Sequence, residues 1–223
     1  MKKSPVLSAV ALLAATGFAL TGCASGAAAP AETAEAAAVP TTVTITDNRG
    51  EIEVPVDPER VVALDNTSFQ TLSDWGIELV AAPKPLMYDL WPNLSGGEEV
   101  LDVGLHREPN IEAVIEADPD LIVGGYRFQE LYDQLVEIQP ATIEVNARDG
   151  EEHVSELKRQ VELLGQVFGR EDEAKLIADE FDASIADAKA AYNGTDTVVG
   201  LITSAGEISY AAPGEGRGVG AAF

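Results

Sequence analysis

Apolar positions along this chain fall into two rhythms. In "TVTITDNRGEIEVP" they alternate, with Val43 and Ile45 before Asn48-Arg49-Gly50 and Ile52 and Val54 after it. Alternation marks strands with one buried face, and the central triplet supplies turn chemistry, so the spacing predicts a β-hairpin. From Asp57-Pro58 onward the pattern changes to short continuous runs: "RVVAL" (60–64), "IELVAAP" (77–83), "DLIVGG" (120–125) and "ATIEV" (141–145). Such runs suit strands buried on both faces. Helical spacing lies between them. "DNTSFQTLSDWG" offers Asn66, Thr67 or Ser68 as a helix cap and Gly76 as its end. "EPNIEAVIEA" (108–117) carries Ile111, Val114 and Ile115 on one face, and residues 127–138 form the next helix. Strands and helices alternating at short intervals predict an α/β layer with a mostly parallel sheet.

From Glu151 to Tyr192 the spacing is strongly helical. One helix covers 151–168, with Val154, Leu157, Val161 and Leu164 in register. Gly169-Arg170 interrupts it, and a second helix covers 171–192, with Leu176, Ile177, Phe181 and Ile185. That second helix would span roughly 33 Å at ~1.5 Å per residue. It reads equally well as a helix packed on the sheet or as a strut joining two lobes. "TVVGLIT" (197–203) and "ISYAA" (208–212) then read as a strand pair, and "PGEGRGVGAAF" closes the chain. A hairpin alone cannot bury a lobe-sized core, so the chain reads as a fragment of a longer protein.

The N-terminus follows a targeting pattern. Lys2 and Lys3 precede an apolar stretch from Val6 to Leu20, too short for a comfortable membrane span. Leu20-Thr21-Gly22-Cys23 resembles the lipobox of bacterial lipoproteins, which predicts a signal peptide over 1–22 and a lipidated Cys23. Cys23 is the one cysteine of the chain, so no internal disulfide can form. Residues 23–40, Ala-rich with prolines, read as the lipidated residue and a flexible tether.

Composition narrows the chemistry. Thirty-eight acidic and 14 basic residues give a formal charge of −24, which argues against a nucleic-acid partner. An anionic ligand would need a local basic pocket. Arg127 fits that need, since it follows a strand's carboxyl end by a few residues, and open α/β sheets bind ligands there. An enzyme is disfavoured. There are two histidines, His106 and His153, with His153 on the exposed start of a helix; there is no Cys/His metal spacing and no G-x-S-x-G elbow. "GRGVGA" (216–221) loosely matches a dinucleotide fingerprint without the helix and acidic residue that should follow.

Taken together, "VTITDNRGEIEVPVDPERVVALDN", "DVGLHREPNIEAVIEADPDLIV", "GGYRFQELYDQLVEIQPATI", "LLGQVFGREDEAKLIADEFDASI" and "GEISYAAPGEGRGVG" resemble the ferric-siderophore-binding lipoproteins of bacterial iron ABC importers, in the catecholate and petrobactin-type subgroup. The resemblance covers residues 41–223. It implies a two-lobed periplasmic-binding-protein fold with one long connecting helix: an N-terminal lobe over 41–170, the connecting helix over 171–192, and an incomplete second lobe over 193–223. It implies a monomer, anchored by lipid on the extracytoplasmic face of the cell membrane, that captures a ferric siderophore and delivers it to an ABC permease and ATPase. The siderophore itself would hold the iron, so no cofactor or protein metal site is expected. Arg127, five residues before Tyr132-Asp133, matches the family's N-lobe arginine. Arg217 matches the arginine of a glycine-rich loop, although "PGEGRG" is one residue longer than the usual form.

A flat, multiply negative complex suits arginine, which is always charged, donates in a fork and stacks on rings. Tyr126, Phe69, Met87, Tyr88 and Tyr210 are candidates for the walls around it, and Asn66 and Ser68 for its polar rim. A binding protein of the same fold for haem or cobalamin, or a surface interaction or sensor lipoprotein without small-molecule cargo, remain open alternatives.

Overall fold

A computed structural model describes residues 41–87, 89–197 and 199–211. The lipidation and tether segment, Tyr88 and Arg217 therefore lie outside the described residues. The predicted hairpin is present as β1 (Thr42–Thr46) and β2 (Glu51–Pro55), antiparallel with Ile45 opposite Ile52. Asp47 builds its turn. The backbone N–H of Asp47 donates to the Gly50 carbonyl at 2.9 Å, and the Asp47 carboxylate accepts from the N–H groups of Arg49 and Gly50.

The next elements are β3 (Val61–Ala63), α1 (Phe69–Asp74), β4 (Leu79–Ala82), two single-turn helices α2 (Lys84–Met87) and α3 (Pro92–Ser95), and β5 (Leu101–Asp102). A minor antiparallel pair follows, β6 (Gly104–Leu105) with β7 (Glu108–Pro109). Then come α4 (Ile111–Glu116), β8 (Leu121–Val123), α5 (Tyr132–Ile138) and β9 (Thr142–Ile143). The main sheet has the order β5-β4-β3-β8-β9 and every neighbouring pair is parallel. The α/β layer anticipated from the short apolar runs is thus the observed fold.

Those runs are continuous because both faces of the sheet are covered. Val61, Ala63, Leu121 and Val123 face one core with Phe69, Leu72, Leu164 and Val167. Val62 and Ile122 face the other with Val114, Ala117, Phe128 and Leu135. The helix anticipated over 127–138 differs in form. A 3₁₀ segment, Tyr126–Leu131, precedes α5, so the chain leaves β8 through a tighter turn than an α-helix allows.

The two long helices are α6 (His153–Phe168) and α7 (Glu171–Ala191). Glu152 caps α6, its carboxylate accepting from the N–H groups of Val154 and Ser155, and left-handed Gly169 ends it. The first turn of α7 holds Glu171, Asp172 and Glu173, the charge that a helix N-terminus favours. α7 packs against α6 through Ala174 and Ala178, while most of its later half is exposed. A hairpin of β10 (Gly200–Ser204) and β11 (Glu207–Ala211) follows, with Leu201, Ile202, Ile208 and Tyr210 48–71% exposed. No helix among the described residues is long and apolar enough to cross a membrane.

The α6–α7 approach is tight at Gly165. A Cβ there would stand 2.7 Å from the Ala174 Cβ and 3.2 Å from the Arg170 carbonyl oxygen. Gly165→Ala should therefore lower unfolding stability by roughly 1–3 kcal/mol in urea titrations, although alanine favours an open helix by about 1 kcal/mol. Unchanged or higher stability would mean that the two helices do not meet here.

Candidate functional site

The parallel strands deliver their following loops to one edge of the sheet. After β3, Asp65 is fully buried, and its carboxylate accepts from the Thr67 N–H and hydroxyl. Gln160 of α6 reaches the same group, its amide donating to Asp65 Oδ2 at 3.2 Å and to Thr67 Oγ1 at 2.8 Å. After β8, Gly125 has φ 95° and ψ −173°, a region that essentially only glycine occupies. A Cβ at Gly125 would collide with the side-chain oxygen of Asn146. That oxygen is in use, because it accepts the backbone N–H of Tyr126 at 3.2 Å. Tyr126 is left-handed, with φ 49°, an uncommon conformation for an aromatic residue.

These constraints produce a crevice of about 210 Å³, lined by Thr67, Tyr126, Asn146, Ala147, His153, Leu157 and Gln160. Arg127 stands beside it. Its Nε–H donates to Asn66 Oδ1 at 3.2 Å, and its guanidinium carbon lies 5.4 Å from the centre of the Tyr126 ring. Among the described residues Arg127 has no carboxylate partner. An exposed guanidinium held over a ring by an amide keeps donors and charge available to an anion.

A polar network holds the loop after β9 in place. Glu156 of α6 is 4% exposed and pairs with two arginines: Arg148 through Nε at 2.9 Å and through its terminal nitrogen at 2.6 Å, and Arg159 at 2.9 Å. Hydrogen bonds from Arg148, reinforced by Arg159, outweigh burial and hold the Glu156 carboxyl at about 2. Arg159 also donates to Asn48 Oδ1 at 2.8 Å and to the Asn146 carbonyl at 3.1 Å. Asp47 accepts the Glu144 N–H at 2.8 Å, and Arg49 bonds the Glu144 carboxylate at 2.5 Å. The hairpin turn, the loop after β9 and the start of α6 are thereby joined. Beside the crevice, and sharing Asn146 and Ala147 with it, runs a more open polar groove of about 460 Å³.

The residues anticipated from sequence divide three ways. Tyr126, Arg127 and Asn66 come together. Phe69, Met87 and Ser68 are fully buried. Phe69 stacks edge-on with Trp91 at 5.5 Å, Met87 belongs to the core of the same sheet face, and the Ser68 hydroxyl donates to the Asp65 carbonyl at 2.7 Å. They serve packing and turn closure and offer no surface to a ligand in this structure. Tyr210 stands on β11 opposite Leu201 and is 60% exposed.

His153 departs from its anticipated exposed position, being half-buried and lining the crevice. Sequence reasoning did not find Gln160, Glu156, Asn146 or Asp47. Glu156 and Gln160 were legible in principle, since they share with Leu163, Leu164 and Val167 the face that α6 buries. No group of three or more His, Cys, Asp or Glu that could hold a metal ion occurs among the described residues.

An open parallel sheet with a crevice at its strand ends is the architecture in which α/β folds hold ligands. The chain belongs to the periplasmic binding protein family, whose model matches residues 61–223. Among curated relatives, the petrobactin-binding protein YclQ of Bacillus subtilis is 33% identical over 139 residues, 61% of this chain and 43% of that protein. The ferric-anguibactin-binding protein FatB of Vibrio anguillarum is 24% identical over 192 residues, 85% of this chain and 59% of that protein. The chain thus spans roughly half the length of these relatives. The crystal structure of YclQ superposes with a TM-score of 0.68 at 29% identity, covering 77% of this chain and 61% of that one. A TroA-like periplasmic binding protein from Xylanimonas cellulosilytica gives 0.66 at 33% identity, covering 77% and 56%.

Two outcomes test the geometry. Gly125→Ala should lower the melting temperature by several degrees and shift the amide signals of Tyr126 and Asn146, because the substitution both strains the backbone and displaces Asn146. A variant with wild-type stability and spectrum would contradict this turn. Glu156 has a depressed folded value, so its stabilisation is present above its ordinary value of 4.5 and is lost as pH falls through about 2. Glu156→Gln should cost roughly 2–3 kcal/mol at neutral pH and flatten the acid-side decline across that window. Parallel pH profiles of the two proteins in urea would rule the clamp out.

Proposed function

We propose that this chain is the capturing part of an extracytoplasmic solute-binding lipoprotein that holds a ferric siderophore and presents it to the permease and ATPase of an ABC importer. The observation that carries this reading is Arg127. It is an exposed cation on a chain of formal charge −24, braced by Asn66 and Tyr126 beside a crevice at the strand ends. An anionic, ring-bearing complex answers both halves of that arrangement, its charge meeting the guanidinium and its rings the aromatic wall. Relatives whose names specify petrobactin and ferric anguibactin support the same cargo class.

In this reading residues 41–170 are one lobe, 171–192 the connecting helix and 193–223 the start of a second lobe. Arg217 and Tyr210 approach the cargo from that second lobe. Signal cleavage before Cys23 and acylation of its sulfur tether a monomer to the membrane. Two or more acyl chains give stable anchoring, since each buried methylene adds ~0.8 kcal/mol.

The test is a tryptophan-fluorescence titration, with Trp75 and Trp91 as reporters, against a ferric catecholate, haem and cobalamin. Saturable quenching by the ferric catecholate is expected, and Arg127→Ala should weaken it about tenfold or more, the equivalent of ~1.4 kcal/mol. Saturation by haem or cobalamin alone, or an Arg127→Ala variant of unchanged affinity, would sink the reading.

A further inference from the structure

The polar groove next to the crevice has an unusual balance of partners. Its floor carries Glu144, whose side chain is 5% exposed. One carboxylate oxygen, Oε2, bonds Arg49 at 2.5 Å, whereas Oε1 is closed off from solvent and has no hydrogen-bond partner among the described residues. A buried carboxylate oxygen left without a donor is costly, so the groove contains an unmet demand for positive charge or a donor. Its walls carry the reverse. Arg49 and Arg148 are 45% and 47% exposed along their side chains and both line the groove. Arg49 spends Nε on Glu144 and one terminal nitrogen on the Gln129 carbonyl at 3.5 Å, with its guanidinium over the Tyr132 ring, and Arg148 spends Nε and one terminal nitrogen on Glu156. A guanidinium has five N–H donors, so each arginine keeps donors for a further acceptor.

The formal charges of the lining decide between guests. Three carboxylates, Glu130, Glu144 and Asp149, stand against two guanidiniums. A polyanion would meet a net negative surface, and a bare metal ion would meet two fixed cations. A guest with one unit of each sign satisfies both sets of groups and changes the net charge of the groove by nothing.

We propose that this groove is a binding site for a free α-amino acid. The carboxylate of the guest is taken by the unspent N–H edges of Arg49 and Arg148. Its ammonium sits on the acidic side, above Glu144 and toward Glu130. The closed-off oxygen takes no bond from the guest; the ammonium acts on the buried Glu144 carboxylate through space, across a lowered dielectric. A volume of about 460 Å³ leaves room for a side chain beyond the head group. The site adjoins the proposed siderophore crevice, with which it shares Asn146 and Ala147, and its assignment does not depend on that cargo.

The experiment is a titration of the ¹⁵N-labelled intact chain with L-glutamine, following the side-chain amide signals of Asn48, Gln129 and Asn146. Saturable shifts with a millimolar dissociation constant are expected. N-acetyl-L-glutamine, which lacks the ammonium, and L-glutaminamide, which lacks the carboxylate, should each bind at least tenfold more weakly. Glu130→Gln lies on the exposed rim and should leave the melting temperature unchanged while weakening glutamine several-fold. Absence of shifts at those three amides, or equal shifts with all three compounds, would overturn the proposal, as would glutamine binding that Glu130→Gln leaves intact. Ferric-catecholate quenching on the same sample reads the crevice independently, so loss of one response leaves the other interpretable.

Discussion

Glu156 is the residue on which the ligand-facing edge depends. A carboxylate 4% exposed inside a protein is tolerable only when its charge is answered, and here two guanidiniums answer it. One of them, Arg148, belongs to the loop that follows β9 and is fixed there by its own backbone N–H as well as by its side chain. The other, Arg159, lies one helical turn further along α6 and reaches out to Asn48 and Asn146. A single buried charge therefore aligns a helix, a strand-end loop and a hairpin turn. Asn146, held by this arrangement, then supplies the oxygen that receives Tyr126.

The crevice wall is consequently set by backbone conformation as much as by side-chain choice. Gly125 adopts a conformation closed to other residues, and that allows Tyr126 to turn left-handed with its ring on the crevice and Arg127 beside it. Strain of this kind persists only where the surroundings over-determine it. The surroundings here are Asn146 from one side and the buried Phe128 from the other, with the Phe128 N–H bonded to the Gly125 carbonyl at 2.9 Å. Such a wall is rigid before any ligand arrives, which lowers the ordering cost of binding.

Much of the layer was legible from the sequence. The hairpin, the buried strands and the two long helices follow from spacing alone, because the period of apolar residues is a local property. The position of Arg127 just beyond a strand end was legible from topology. The errors share one cause. Phe69 and Met87 are apolar residues near strand ends, and nothing local distinguishes a crevice wall from a core. Phe69 is covered by Trp91, 22 positions on, and Phe69 and Met87 both belong to a core completed by Leu164 and Val167 of α6, which are distant in the chain. Glu156 and Gln160 fall on the face of α6 that Leu163, Leu164 and Val167 bury, but their purpose there emerges only when their partners, Arg148 and Asp65, are placed. His153 was misjudged because a residue at a helix start is usually solvated, while this helix begins against the sheet's ligand-facing edge.

The bonds that shape the crevice join residues far apart in sequence: Asp47 to Glu144, separated by 97 positions, and Asn48 to Arg159, separated by 111. Closing loops of that size costs entropy that only the finished contacts repay. The hairpin at Thr42–Pro55 is the earliest element of the described fold along the chain, yet its turn acquires its partners only when the loop after β9 and α6 are in place. During synthesis from the N-terminus, the ligand-facing edge can be completed only after α6 has been made. The crevice is thus a product of helix docking: His153, Leu157 and Gln160 of α6 form part of its lining, so a chain that has collapsed without docking α6 has a sheet but no crevice.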